Sequence, residues 1–312
     1  MMHLRIISPA ALTDEVLETL KNDAAVANLV VHRGAAVDPA GDVVIGDVAR
    51  ESANDVVDTL KALGLDTSGS IALDPVSVAI SRGGVRAERS APGDGADAVV
   101  WDEIEQRTGE ESHLSANFLL FLSIATIIAS IGVLLDQPIL IVGAMVVGPE
   151  FGPLAAFSVG VVRRRPTVIG RSLLALVVGF AVAILIATLS TLALDAFGLI
   201  NREMLLAPRP LTDFIWRPDA LSWVIGFLAG VAGILSLTSA KSGALVGVLI
   251  SVTTVPAAGN IAVAIAYGAP DEAWGSALQL GINLAAIAVA GILTLAVQRG
   301  LQHRPKRSAT PR

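Results

Sequence analysis

Cysteine is absent from the 312 residues, which excludes disulfides, thiolate metal sites and cysteine nucleophiles. Histidine is nearly absent: His3, His32, His113 and His303 are scattered, and none forms the HExxH spacing of a zinc hydrolase. Each reads as a solvated or packed residue, so neither a metal nor a cofactor is expected. Charge is scarce too. Only 16% of residues are Asp, Glu, Lys or Arg against 53% hydrophobic, and the mean hydropathy is +0.68, far from an ordinary soluble composition. No basic face offers itself to nucleic acid. An intramembrane hydrolase would need a nucleophile with a base, or a metal cluster. No histidine or cysteine falls in the apolar stretches, and Asp136 and Asp195 lie at segment ends, so an enzyme is not expected.

What charge there is concentrates before residue 117, while 117–297 holds long stretches with none, so two solvents are implied. The net charge of -6 is therefore a sum over unlike parts. The opening MMHLRIISPAALTDEV has no basic start, apolar core or small-residue cleavage site of a signal peptide, and the N-terminus is expected in the cytoplasm.

Strand and helix signals alternate through the first 76 residues. Residues 4–7, 28–32, 43–48 and 70–73 are β-rich. Val16, Leu17 and Leu20 give one helical face beginning near Thr13, and Val56, Leu60 and Leu63 give another that stops at Gly64. Ser52 with Asp55 resembles a capping box, and Asp38, Pro39, Gly41 and Asp42 suit a hairpin loop. The order βαββαβ predicts a small α+β ferredoxin-like domain over 1–80, an assembly or regulatory module with neither a P-loop nor GxGxxG. Residues 81–97 read as a Gly-, Pro- and Arg-rich linker. A juxtamembrane helix follows, completing a connecting region of 81–114, with Trp101 either at the bilayer interface or packed on the soluble domain.

About 20 apolar residues cross a hydrocarbon core. Six segments qualify, 117–135, 139–162, 167–196, 221–238, 243–267 and 275–297, forming a membrane domain over 115–298 before a basic tail, 299–312. Basic residues in short loops prefer the cytoplasm. Arg163 to Arg165, Lys241, and Arg299 with Arg304, Lys306 and Arg307 would all face it, with both termini inside, whereas Asp136, Asp271 and Glu272 occupy the opposite turns.

The second and fifth segments share an interruption. IVGAMVVGPEFGPLAA and LVGVLISVTTVPAAGN both start with an aliphatic residue and Val-Gly, then reach a polar, proline-bearing stretch. Gly143 pairs with Gly247 at an offset of 104, and Pro153 with Pro256 at 103. Because each is the middle of a triplet, the pattern predicts two inverted three-helix repeats whose broken central helices meet near the midplane, the architecture of ion and solute sites. Gly148, Pro149, Glu150, Gly152 and Pro153 on one side and Thr253, Thr254, Pro256 and Asn260 on the other are the candidate site, joined by Gln279 and Asn283 at i, i+4. Ser123, Thr126 and Ser130 form a supporting polar face. A carboxylate at mid-membrane costs around 2.5–3.5 kcal/mol on insertion scales, so Glu150 points to a cavity, a partner or a proton path. The alternative is a protonated side chain that caps a broken helix.

These residues carry a resemblance. IVGAMVVGPEFGPLAA and GALVGVLISVTTVPAAGNIAVAIAYG, with the stretch around Gln279 to Ala285, resemble the prokaryotic membrane family called domain of unknown function 389, over 117–297. The resemblance implies a multi-pass protein of a prokaryotic cell membrane, often with a soluble α/β domain in front, and no established substrate. Relatives often have Ser before the first proline and an apolar residue after it. Gly148 and Glu150 stand there in this chain, so no family-wide role for the carboxylate is implied and no catalytic residue carries over. The expectations are a transporter or channel for a small ion or polar solute or, alternatively, a non-transporting scaffold or sensor anchoring the soluble domain. The bilayer is the expected partner, and a homo-oligomer is possible.

Overall fold

A computed structural model describes residues 1–91, 98–239 and 253–302. The chain divides into two compact units. The first covers Met1–Ile104, and the second contains the apolar helices.

In the first unit, β1 (Met2–Ser8), α1 (Thr13–Asn22), β2 (Val26–Val37), β3 (Ala40–Val48), α2 (Ala53–Ala62), a one-turn α3 (Leu65–Ser68) and β4 (Ser70–Pro75) succeed one another. The sheet order is β2-β3-β1-β4 and every neighbouring pair is antiparallel. This is the arrangement that a split βαββαβ chain adopts. Alternation explains the core: Met2, Leu4 and Ile6 point to one face of β1 and are fully buried with Val44 and Val48 of β3. Val16, Leu17 and Leu20 of α1 and Val56 and Leu60 of α2 cover them. Gly64 ends α2 in the left-handed region at φ 78°, where a side chain would be strained.

Three expectations need correction. Ser52 makes no side-chain cap, because it sits in a helical backbone conformation at the end of a 3₁₀ turn that already leads into α2. The β2–β3 turn is only Asp38-Pro39, and Gly41 and Asp42 belong to β3. The presumed linker holds a helix, α4 (Arg82–Ser90). Ser81 caps it by accepting from the Gly84 amide at 2.8 Å, and the small buried pair Gly84 and Ala87 replaces the missing hydrophobic period. Residues 92–97 of that stretch lie outside the described residues. The next helix, α5 (Trp101–Glu111), starts within this unit: the Trp101 amide donates to Asn54 Oδ1 at 3.0 Å and its ring is buried, which favours packing on the soluble domain over the interface.

Asp42 gives this domain a pH dependence. The Gly34 amide donates to its Oδ1 at 2.7 Å and Arg33 to its Oδ2 at 3.1 Å. The Gly34 bond first, then Thr13 and Arg33, hold its carboxyl below the ordinary carboxylate range. A depressed carboxyl contributes stability that is present above its unfolded value and fades as pH falls through the folded one. Asp42→Asn is therefore expected to speed hydrogen exchange of the β2–β3 amides at neutral pH. The difference from the parent, after correction for intrinsic exchange, should shrink below about pH 4.

The second unit is helical. Among the described residues, four helices are long and apolar enough to cross a bilayer: α6 (Ala116–Leu134), α9 (Pro166–Ala196), α11 (Ala220–Thr238) and α13 (Pro270–Gln302). Two shorter apolar helices, α7 (Pro138–Val147) and α8 (Phe151–Val162), are bent by 51° at their junction and count as a fifth crossing if taken together. A short α10 (Arg202–Leu206) lies in the connection after α9, and α12 (Thr254–Tyr267) is apolar but short. The first half of the expected fifth segment, with Lys241, Gly243 and Gly247, lies outside the described residues, as do Arg304, Lys306 and Arg307. Leu173, Leu174, Val177, Leu185 and Leu189 of α9 and Leu221, Val224, Ile225 and Leu228 of α11 are exposed, which suits contact with acyl chains. This is a multi-pass membrane protein with a small antiparallel-sheet domain.

Packing among the helices is close where glycine allows it. Added Cβ atoms at Gly226 and Gly230 of α11 would meet Ala286 Cβ at 3.0 Å and Ala290 Cβ at 2.8 Å of α13. That GxxxG pair is a helix contact. Gly259 brings α12 against α6, where an added Cβ would lie 2.8 Å from both Ala129 Cβ and the Ser130 amide nitrogen.

Candidate functional site

Proline placement builds the break. The residue before a proline avoids the helical region, and Gly148, preceding Pro149, is extended at φ -66°, ψ 128°, which ends α7. Glu150 is then the N-cap of α8, with Pro153 as its third residue. On the other side Thr253 is the N-cap of α12 and Pro256 its third residue. A proline in the first helical turn removes no intrahelical bond, because those amides have no partner there. Neither proline interrupts a helix, so the interior penalty of about 3 kcal/mol is not incurred.

The two helix starts are in contact. Thr254 Oγ1 donates to Glu150 Oε1 at 2.6 Å, a length typical of a hydroxyl on a carboxylate. Glu150 Oε2 has no partner among the described residues. It lies so near Gly148 that a Cβ there would come within 2.4 Å of it and 2.7 Å of Val255 Cγ2, which leaves glycine as the residue that fits. Thr253 Oγ1 accepts from Asn283 Nδ2 at 2.8 Å and Gln279 Nε2 at 3.2 Å. Gln279 Oε1, also buried, has no partner among the described residues. Gln279 and Asn283 are one turn apart on α13 and do share a face. The break thus joins Gly148, Glu150, Thr253, Thr254, Gln279 and Asn283 into one buried polar cluster, with Pro149, Gly152, Pro153 and Pro256 shaping its backbone.

Glu150 is short of compensation. Burying an ionised carboxylate costs several kcal/mol after relaxation. A hydrogen bond to a charged group returns about 1.5–3 kcal/mol, and each helix N-terminus about 0.3–1 kcal/mol, up to ~2 in partly buried geometry. Two N-termini and one hydroxyl cover part of the cost.

Asn260 belongs to a different network. Fully buried on α12, it accepts from Arg209 Nη1 at 3.3 Å and donates to Ser276 Oγ at 2.8 Å and Glu272 Oε2 at 3.5 Å. Arg209 Nη2 reaches both Glu272 oxygens at 2.8 and 2.7 Å, a nearly buried ion pair. Arg209 comes from the connection between α9 and α11, which Asp136 anchors by accepting from Thr212 Oγ1 at 2.9 Å and the Leu211 amide at 3.2 Å. Ile215 of the same connection is buried among Val133, Ile141, Met145 and Ala257. Arg209 went unnoticed in the sequence because its partners are 51 and 63 positions away and no local spacing links them.

The polar face of α6 is buried but mostly self-satisfied. Thr126 Oγ1 donates to the Leu122 carbonyl at 2.7 Å, and Ser130 Oγ to those of Thr126 at 2.9 Å and Gly259 at 3.1 Å. Ser123 Oγ has no partner among the described residues.

A polytopic bundle with a proline-bearing break and a buried polar cluster is the class that fold and site define. Residues 145–289 match the family described as "Domain of unknown function (DUF389)". The chain is 26% identical over 195 residues to an uncharacterized protein of Methanocaldococcus jannaschii, covering 62% of this chain and 58% of that protein. It thus spans less than two thirds of the relative's length. No solved structure matches.

Proposed function

We propose that the protein moves a small ion or polar solute across a prokaryotic cell membrane through the break between α7 and α8 and the start of α12, and that it is not an enzyme. One observation carries this reading: among the described residues, the buried oxygens Glu150 Oε2 and Gln279 Oε1, the latter on a side chain that bonds Thr253, stand without partners beside the starts of α8 and α12. A break made only for packing would be expected to close its own polar groups.

An inverted repeat is supported by the register of the helix starts. Glu150 and Thr253, Phe151 and Thr254, and Pro153 and Pro256 hold equivalent places, each pair 103 residues apart. Contacts follow the same relation: α12 packs on α9 and α13, and α8 packs on α13 and α9. Charge distribution supports termini on the cytoplasmic side. Arg299 Nη1 donates to the Val162 carbonyl at 2.6 Å, putting it beside Arg163 to Arg165 at the far end of α8, whereas Glu272 and Asp136 lie beyond the other end of the break. The alternative, a scaffold anchoring the soluble domain, draws on α6, whose hydroxyls mostly bond its own backbone.

The natural chain has no cysteine, so single-cysteine variants need no prior substitutions. Thr253→Cys and Gln279→Cys in proteoliposomes are expected to react with a membrane-impermeant thiol reagent, from one side at least and with protection by a transported solute. Failure of both to react from either side, with a lipid-facing Leu228→Cys control behaving alike, would select the scaffold.

A further inference from the structure

We infer that the break binds a monovalent cation with the Glu150 carboxylate as its anionic ligand; this rests on reading the break as a solute site and narrows that solute's class.

The argument is an inventory of charge around Glu150. The helices α6, α7, α8, α11 and α12 contain no Lys, Arg, Asp or Glu between their stated ends. On α9, Arg171 falls in the second turn and Asp195 in the last, where Tyr267 of α12 donates to it at 3.2 Å. On α13, Asp271 and Glu272 stand in the first turn and Arg299 in the last. Glu272 precedes Gln279 by seven residues, roughly 10 Å along the helix, and is engaged by Arg209. Arg299 is drawn to the end of α8. Among the described residues, every basic group on the helices packed around the break therefore lies toward a helix end, Arg209 of the connection is engaged by Glu272, and Glu150 Oε2 is unpartnered.

The remaining polar atoms argue for a cation over an anion. Thr253 and Thr254 present hydroxyl oxygens, and Gln279 Oε1 is the second buried oxygen without a partner. Oxygen donors of this kind suit hard cations. Among the described residues, an anionic ligand would be placed beside a carboxylate with no arginine or lysine to hold it. The cation can be an alkali ion or a proton, since either neutralises the same oxygen.

The test uses the purified full-length protein in detergent. Thermal unfolding is followed in NaCl, LiCl or KCl against choline chloride at constant ionic strength, at several pH values, for the parent, Glu150→Gln and Thr254→Val. An alkali site predicts a saturable rise of roughly 5 °C or more at a hundredfold excess over Kd in the parent. A proton site predicts no alkali effect and a pH response that Glu150→Gln abolishes. Thr254→Val, which keeps the carboxylate, should weaken the response about tenfold, and equilibrium binding of radioactive sodium to the parent decides the alkali case should Glu150→Gln fail to fold. Identical responses of parent and Glu150→Gln to both alkali ions and pH would overturn the inference. A saturable cation response in a protein whose Thr253→Cys and Gln279→Cys never label would instead sink transport and leave the cation site standing.

Discussion

Arg209→Ala is expected to destabilise the membrane unit by about 3–5 kcal/mol, the largest effect of any single change considered. Arg209 and Glu272 have side chains only 6% and 16% exposed, so removing the guanidinium leaves a carboxylate almost without water or partner. It also removes a donor from Asn260, which is fully buried. Arg209→Lys should recover only part of the loss, because an ammonium cannot engage two carboxylate oxygens and Asn260 in the geometry of a planar fork. Glu272→Gln in the Arg209→Ala background should relieve the stranded charge, making the double variant more stable than the single losses add up to. Reversible unfolding in mixed micelles would measure all of these. A loss of less than about 1 kcal/mol for Arg209→Ala would mean that the pair is solvated as an ordinary surface bridge is.

Gly259→Val is expected to be next, at about 1–3 kcal/mol or more. The atoms that a side chain would meet are Ala129 Cβ and the Ser130 nitrogen at 2.8 Å, with the Ala129 carbonyl carbon at 3.0 Å. Backbone cannot rotate aside as a long side chain can, so α12 must back away from α6. The Ser130 hydroxyl would then lose the Gly259 carbonyl, which it reaches at 3.1 Å. Gly281 of α13 is the control: nothing lies within 4 Å of an added Cβ, and Gly281→Ala should be neutral or gain a few tenths of a kcal/mol from helix propensity. Equal losses at both positions would show that glycine acts here through backbone freedom and not through close approach.

Much of the site was legible because proline and membrane burial act locally. Pro149 sets the end of α7 through the residue before it, and Pro153 and Pro256 mark the first turns of α8 and α12, so the break between α7 and α8 and the start of α12 could be read without a fold. Glu150 stood out because a carboxylate in an apolar run is costly wherever the run folds. The shared face of Gln279 and Asn283 followed from helical spacing, and both residues do reach Thr253. Other features left weaker traces. The helix α4 hid in a stretch that reads as linker, since its buried residues are glycine and alanine and its exposed ones mostly charged or polar, with Val85 on the exposed side as well. Asn260 carried the right polarity for the break, yet six positions beyond Thr254 it meets Arg209 and Glu272 instead.

Sequence alone determined that this chain lives in two solvents, that a βαββαβ domain precedes apolar crossings, and where the crossing formed by α7 and α8 is broken. Each follows from periodicity, composition or the stereochemistry of proline, which depend on neighbours a few residues away. Only the tertiary structure decided which polar groups are satisfied. Glu150 finds Thr254 across 104 positions and Arg209 finds Glu272 across 63, and whether a buried oxygen is left without a donor depends on such distant pairings, to which no local pattern responds.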